Sequence, residues 1–213
     1  MGFELRARRL AVAGLALVSA GCVTPRIGPP PLLRIADRHC TPHPNFAAAS
    51  TIAYDTSRRR GEADTRITAS SACFADRAGP SLYAVYRLPS LPVAYLIRVA
   101  SMPEGAALLA PRVLLYGPDG TLKRRLSGRR VVFRGDALSV IFRSHIEERY
   151  LVVASDPTVI GHQISRIEDT VQGGAAYVYP YVVAVNTGAD VTVNNVLSYN
   201  GRITVSLRTL SAR

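Results

Sequence analysis

Arg112-Val-Leu-Leu-Tyr116, then Gly117-Pro-Asp-Gly120, then Thr121-Leu-Lys-Arg-Arg-Leu126 is the stretch that decides the fold. Its flanks are strand patterns and its centre is turn chemistry. Proline presets φ, Asp caps its own turn and Gly takes positive φ, so the stretch predicts a β-hairpin. Upstream, Leu82–Leu88 and Val93–Ala100 are rich in β-branched and aromatic residues in alternation. Leu88-Pro-Ser-Leu-Pro92 separates them, because proline cannot continue a ladder. Downstream, strands are predicted at Val131–Arg134, Leu138–Arg143 and Arg149–Ala154.

Asp156-Pro157 has the form of a helix N-cap with proline at the first helical position, which predicts one short helix over Val159–Ile167. A glycine-containing loop at Glu168–Gly174 then precedes strands at Tyr177–Val185, Val191–Leu197 and Arg202–Leu207. Ser198-Tyr-Asn-Gly201 between the last two is again hairpin chemistry. Short strands at spacings of about 8–12 residues predict an all-β fold, an antiparallel β-sandwich or jelly-roll-like domain over residues 80–213 with one short helix. A parallel α/β sheet would need helices between its strands.

Residues 32–79 are patterned more weakly. Phe46–Tyr54 reads as a short helix or an edge strand, and Thr56–Thr65 as a polar, charged loop, so the segment is expected to pack on the main domain as a flap. Before it, Cys22 and the proline-rich Val23–Pro31 form a semi-extended tether over residues 22–31, reaching roughly 25–30 Å at about 3.1 Å per residue.

Residues 1–21 read as an export signal. Arg6, Arg8 and Arg9 precede the uncharged run Leu10–Val18, which is too short to span the roughly 30 Å of bilayer hydrocarbon. Ser19-Ala-Gly-Cys22 resembles a bacterial lipobox, with Ser19 where Leu is usual. That resemblance implies diacylglycerol on the Cys22 thiol, cleavage before it and acylation (palmitate), and Val23 in place of Asp, by resemblance to enterobacterial lipoprotein sorting, implies an outer-membrane anchor facing the periplasm. Val18-x-Ala20 also fits ordinary signal-peptidase cleavage after Ala20.

The three cysteines support the lipid reading. With Cys22 acylated, Cys40 and Cys73 remain as one even pair in an oxidising compartment. A Cys40–Cys73 disulfide would contribute on the order of 3 kcal/mol by restricting the unfolded chain.

A net charge of +11 invites a nucleic-acid reading. Against it, Lys123 is the only lysine beside 25 arginines, a skew that reflects composition rather than a phosphate site, and no recognition motif is present. Loss of residues 1–21 removes three Arg and one Glu and leaves +9. The basic runs Lys123-Arg124-Arg125, Arg129-Arg130 and Arg134 are candidates for contact with an anionic envelope polymer, or are solvated faces that block sheet-edge association. Tyr177, Tyr179 and Tyr181 are candidate aromatic contacts in a chain with ten Tyr and no Trp.

Catalytic chemistry is not signalled. His39-Cys40-Thr-Pro-His43 lacks a second ligand pair at zinc-site spacing, His145 with Glu147 and Glu148 reads as a solvated turn, and His162 as a surface residue. There is no Gly-x-Ser-x-Gly elbow, phosphate loop or His-Glu-x-x-His, so no catalytic residue, metal or cofactor is expected.

The order strand, Pro-Asp-Gly turn, basic strand, then Glu148–Asp156 before a short helix resembles the periplasmic maltose-operon protein family, and Tyr199–Leu207 is similar to its final strand. The pre-peptidase C-terminal sandwich group has a similar order. The likeness covers roughly residues 80–207. It implies an envelope β-sandwich without a catalytic role and transfers no functional residues.

The sequence therefore predicts a non-enzymatic envelope lipoprotein. Its partners would be the membrane through its anchor and either an envelope protein or a cell-wall polymer such as peptidoglycan or lipopolysaccharide. Intact mass of the mature chain checks the address: the expected species begins at Cys22 and carries acyl chains, and an unmodified N-terminus refutes it.

Overall fold

Alternation sets the layers. The pattern is cleanest over residues 201–209, where Ile203, Val205 and Leu207 are buried while Arg202 and Arg208 are exposed. The computed structural model describes residues 32–35, 38–178 and 181–209. The strands are β1 (Ser50–Thr51), β2 (Tyr54–Asp55), β3 (Arg60–Ile67), β4 (Cys73–Asp76), β5 (Gly79–Arg87), β6 (Tyr95–Met102), β7 (Ala107–Leu109) and β8 (Pro111–Tyr116). They continue with β9 (Leu122–Leu126), β10 (Val132–Arg134), β11 (Ala137–Arg143), β12 (Tyr150–Ser155), β13 (Gln163–Val178), β14 (Tyr181–Ser198) and β15 (Gly201–Thr209).

The described residues are mostly β and mainly antiparallel, in three sheets. One sheet runs β1-β5-β12-β8-β9, with β4 also on β5; a second runs β10-β11-β6-β15-β3-β2; the third is β13-β14-β7. The first two face each other across one core. Leu82, Tyr86, Val113, Leu115, Leu151 and Val153 come from the first sheet, and Ile97, Val99, Val140, Ile203, Val205 and Leu207 from the second. Fully burying such a side chain stabilises by about 1.5–3 kcal/mol.

The first sheet is apolar on its other face too, which is why every residue of β8 is buried. Phe74, Tyr83, Leu114, Tyr116 and Val152 form a second cluster there, covered by Phe46 and Ala49. The cover is a single 3₁₀ turn, Phe46–Ala48, whose preceding Asn45 accepts the Ala47 N–H at 3.1 Å and donates its own N–H to the Tyr83 hydroxyl at 2.7 Å. Phe46 lies 5.0 Å from the Tyr116 ring and 4.8 Å from the Tyr150 ring. The Cys40–Cys73 disulfide is formed, and Thr41 bonds both sides of Phe74: its N–H reaches Cys73 O at 3.2 Å and its carbonyl receives Ala75 N–H at 2.9 Å.

Within this layer Arg112 is 2% exposed. Its guanidinium meets both Asp76 oxygens at 3.2 and 3.1 Å, donates to Ser81 Oγ at 2.8 Å and lies 5.6 Å from the Phe74 ring centre. Arg125 reaches the same carboxylate at 3.2 Å.

The third sheet is a ribbon. β13 and β14 pair without interruption from Gln163↔Val196 to Val178↔Tyr181, while β7 pairs only with Val196–Ser198 at the base. Leu108, Ala110, Leu138 and Leu197, with Val159, Ile160 and Ile164, pack that base onto the body.

Four sequence expectations change here. No α-helix occurs among the described residues, and Val159–Ile167 is a turn followed by the start of β13. Asp156 does cap, accepting Thr158 N–H at 3.1 Å, but Gly161 at φ +85° ends the turn at once. Gly161 N–H and Leu197 N–H then bond across to Leu197 O and His162 O, drawing the chain into a ladder that suits its β-branched residues. Glu168–Gly174 is not a loop but the middle of β13. Ser198–Gly201 does not close a hairpin; β15 leaves β14 to pair with β3 and β6. Gly201 is needed there, since a Cβ would lie 2.9 Å from Leu109 Cβ and 3.0 Å from its nitrogen. Finally, the stretch read as a charged loop at Thr56–Thr65 contains most of β3.

Burial raises the Asp76 carboxyl, but the Ala78 N–H and the charges of Arg112 and Arg125 outweigh it and hold the group below its ordinary value of 3.8. Its contribution is therefore complete above that value and is lost as pH falls through the lowered one. Asp76→Asn is expected to cost about 2 kcal/mol at pH 7, since it strands a buried guanidinium. Urea titrations should show the gap between variant and parent closing as pH drops below 3.8.

Candidate functional site

The loops at one end of the facing sheets enclose a groove of about 900 Å³. One wall is the proline-punctuated connection Pro89–Ala94, the other is Ser144–Arg149 between β11 and β12, and Pro118, Asp119 and Lys123 of the β8–β9 hairpin close the floor. The hairpin is the one the sequence announces. Gly120, at φ +76°, donates its N–H to Gly117 O at 3.1 Å, and Asp119 Oδ1 accepts Thr121 N–H at 3.1 Å.

Both walls are pinned from within. Ser144 N–H donates to Tyr95 O at 2.8 Å, Ser144 Oγ accepts Tyr95 N–H at 3.0 Å, and the Tyr95 hydroxyl donates to Pro89 O at 3.1 Å. Burial, then the neighbouring Glu148 charge, pushes the Tyr95 hydroxyl up to about 12, so it stays a protonated donor. Arg149 ties Leu88 O at 3.3 Å and also bonds Ser90 Oγ.

Glu148 is the hub. Its side chain is 1% exposed; Oε2 accepts His145 N–H at 2.9 Å and Arg124 Nη2 at 3.1 Å, and Oε1 lies 2.9 Å from the same nitrogen. Arg124 also donates to Arg143 O at 2.8 Å, sits 5.3 Å from the Phe142 ring centre and brings Nη1 to 3.4 Å from His145 Nε2. The hydroxyls and the imidazole are thus spent on holding the loops. The groove offers instead an apolar lip, with Ile146 98% exposed and Val93 52% exposed, edged by Asp119, Lys123 and Glu147. This chemistry suits recognition of a surface with apolar anchors.

The basic residues singled out in sequence do not gather. Lys123 lines the groove, Arg124 is committed to Glu148, and Arg125 goes to Asp76 beside Arg112. Arg134 donates to Ser139 O at 2.6 Å. Arg129 and Arg130 sit exposed on the 3₁₀ turn Gly128–Arg130. Tyr177 and Tyr181 lie at the far end of the ribbon, and Cys22 and Tyr179 lie outside the described residues. His145, Ile146 and Glu147 sit exposed in a turn, as expected, while Glu148 is buried and accepts the His145 backbone N–H. Among the described residues no three His, Cys, Asp or Glu side chains gather as a metal site. What the sequence reading missed is the groove itself; its one local signal is Ile146, an apolar residue inside His145-Ile-Glu-Glu148.

Fold and site together define an all-β protein with a pinned apolar groove at one end and a β-ribbon at the other. No family model, characterised protein or solved structure matches the chain.

Glu148→Ala is expected to lower stability by about 2–3 kcal/mol, since it leaves Arg124 and the His145 N–H without their acceptor. Lys123→Ala should change it by less than about 0.5 kcal/mol. Urea midpoints of the two variants check the contrast.

Proposed function

We propose that this protein is a lipid-anchored cell-envelope module of the outer membrane, non-enzymatic, that docks a protein partner in the groove between residues 89–95 and 144–149. The observation that carries the reading is the near-fully exposed Ile146 on a loop held from within by the Glu148 carboxylate and the Ser144–Tyr95 bonds. An isoleucine held out on a braced loop is poorly used in water and well used as an anchor in a partner's pocket. The disulfide fits an oxidising setting. The Cys22 lipobox pattern supports the location.

The alternative, binding of an anionic glycan or wall polymer, draws less support, because Arg124 is paired with Glu148, Arg125 with Asp76, and Arg134 is bonded to the Ser139 carbonyl. A photo-reactive residue in place of Ile146 in intact cells tests the choice. The expected result is a discrete protein adduct that disappears with Val93→Asp and does not form from Ile141, which is 44% exposed on β11 away from the groove. Equal adducts from both positions overturn the docking site. Retention on purified peptidoglycan that survives moderate salt and falls with Arg129→Ala would favour the polymer reading instead.

A further inference from the structure

The ribbon has no part in the groove, and its composition is unlike that of the rest of the chain. Residues 170–189 contain no Asp, Glu, Lys, Arg or His. In register this covers the whole far half of the ribbon, from Thr170↔Ala189 to Val178↔Tyr181. Each uncharged arm has nine residues, about 30 Å along the strand at roughly 3.3 Å per residue, at the short end of the roughly nine to eleven residues of a tilted membrane-crossing strand.

The charge boundary is sharp. Asp169 and Asp190 are direct register partners, with Glu168 and Arg166 beyond them toward the body. Like charges opposed on a ladder repel, so this pair belongs in water or at a headgroup layer that screens it. At the other end, Tyr177 and Tyr181 stand in the last two register pairs, the placement of aromatic residues at a membrane interface.

Such a ribbon is incomplete alone. Among the described residues nothing pairs with the outer edge of β13, and the edge of β14 that faces away from β13 is met only by β7, at Val196–Ser198. A free two-stranded ribbon is marginal in water, and a bilayer tolerates strands only when every edge is paired. A further copy of the same ribbon satisfies both demands, since it brings an equally long, equally uncharged arm with its own open edge. Leu32 lies against Gly161 at the ribbon base, where a Cβ would come within 3.2 Å of Leu32 Cδ1. Among the described residues no helix is long and apolar enough to cross a membrane.

We infer that residues 170–189 are a membrane-inserting arm, and that arms from several copies of this chain pair edge to edge into a closed transmembrane β-barrel. The inference rests on the envelope location proposed above but not on the groove.

The test uses the mature protein with vesicles of phosphatidylethanolamine and phosphatidylglycerol that enclose a self-quenched dye. The expected result is dye release together with cross-linkable oligomers, and a drop in release of about tenfold or more with Val183→Arg, because an arginine placed on a barrel strand within the hydrocarbon layer is costly. Arg129→Ser should release dye like the parent. Circular dichroism of Val183→Arg should match the parent in solution, which separates loss of insertion from loss of folding. Cys22→Ser should still release dye when given at higher protein concentration, so that failure of the lipid-anchor reading leaves this result standing. Oligomers without release, release indifferent to Val183→Arg, or neither oligomer nor release overturns the inference.

Discussion

Arg112 places a full charge beneath an apolar cover, and the arrangement around it follows from the need to neutralise that charge. Asp76 does so only because β4 is laid along β5, and β4 stays there because Cys73 is tied to Cys40 and Thr41 is bonded on both sides of Phe74. The same carboxylate takes Arg125 from β9, so one side chain joins β4, β8 and β9. A buried ion pair of this kind adds little net stability over an apolar substitute, yet breaking it by removal of one partner is expensive. Its effect is to make the N-terminal cover and the sheet beneath it one unit.

The groove at the far end of β8 is built on the opposite plan. Glu148, Ser144, Tyr95 and Arg149 spend their hydrogen bonds on holding two loops, leaving prolines and aliphatic side chains facing outward. Loops braced in advance lose little conformational entropy on binding, so the free energy of an apolar contact is not consumed in ordering them. The charged rim adds orientation rather than affinity.

The sequence revealed the strands in which alternation and β-branching coincide: β5, β6, β8, β11, β12 and β15, with the Pro-Asp-Gly hairpin between β8 and β9. It concealed β3, because Arg60, Glu62, Asp64 and Arg66 alternate with Gly61, Ala63 and Thr65, residues too small or polar to announce a buried face. That strand is held by β15 along its whole length, with Arg202 Nε reaching Asp64 at 2.8 Å across the ladder, a tertiary pairing without a local signature. Gly173 and Gly174 made β13 look like a loop, since glycine weakens a strand and its partner lies beyond a turn. Asp156-Pro157 made a helix look natural until Gly161 ended the turn. The groove was not legible because its walls come from three separate connections; the disulfide was, because cysteine counting needs no geometry.

Leu32 and the ribbon base lie beside Gly161, next to Ser155 and Pro111, whereas the groove lies past Tyr116 and Tyr150 at the other end of the same paired strands. Six paired residues separate the two ends, a stand-off of about 20 Å in rigid sheet. The body therefore behaves as a spacer: whatever fixes the chain at residue 32 also fixes the height and heading at which a bound partner is presented.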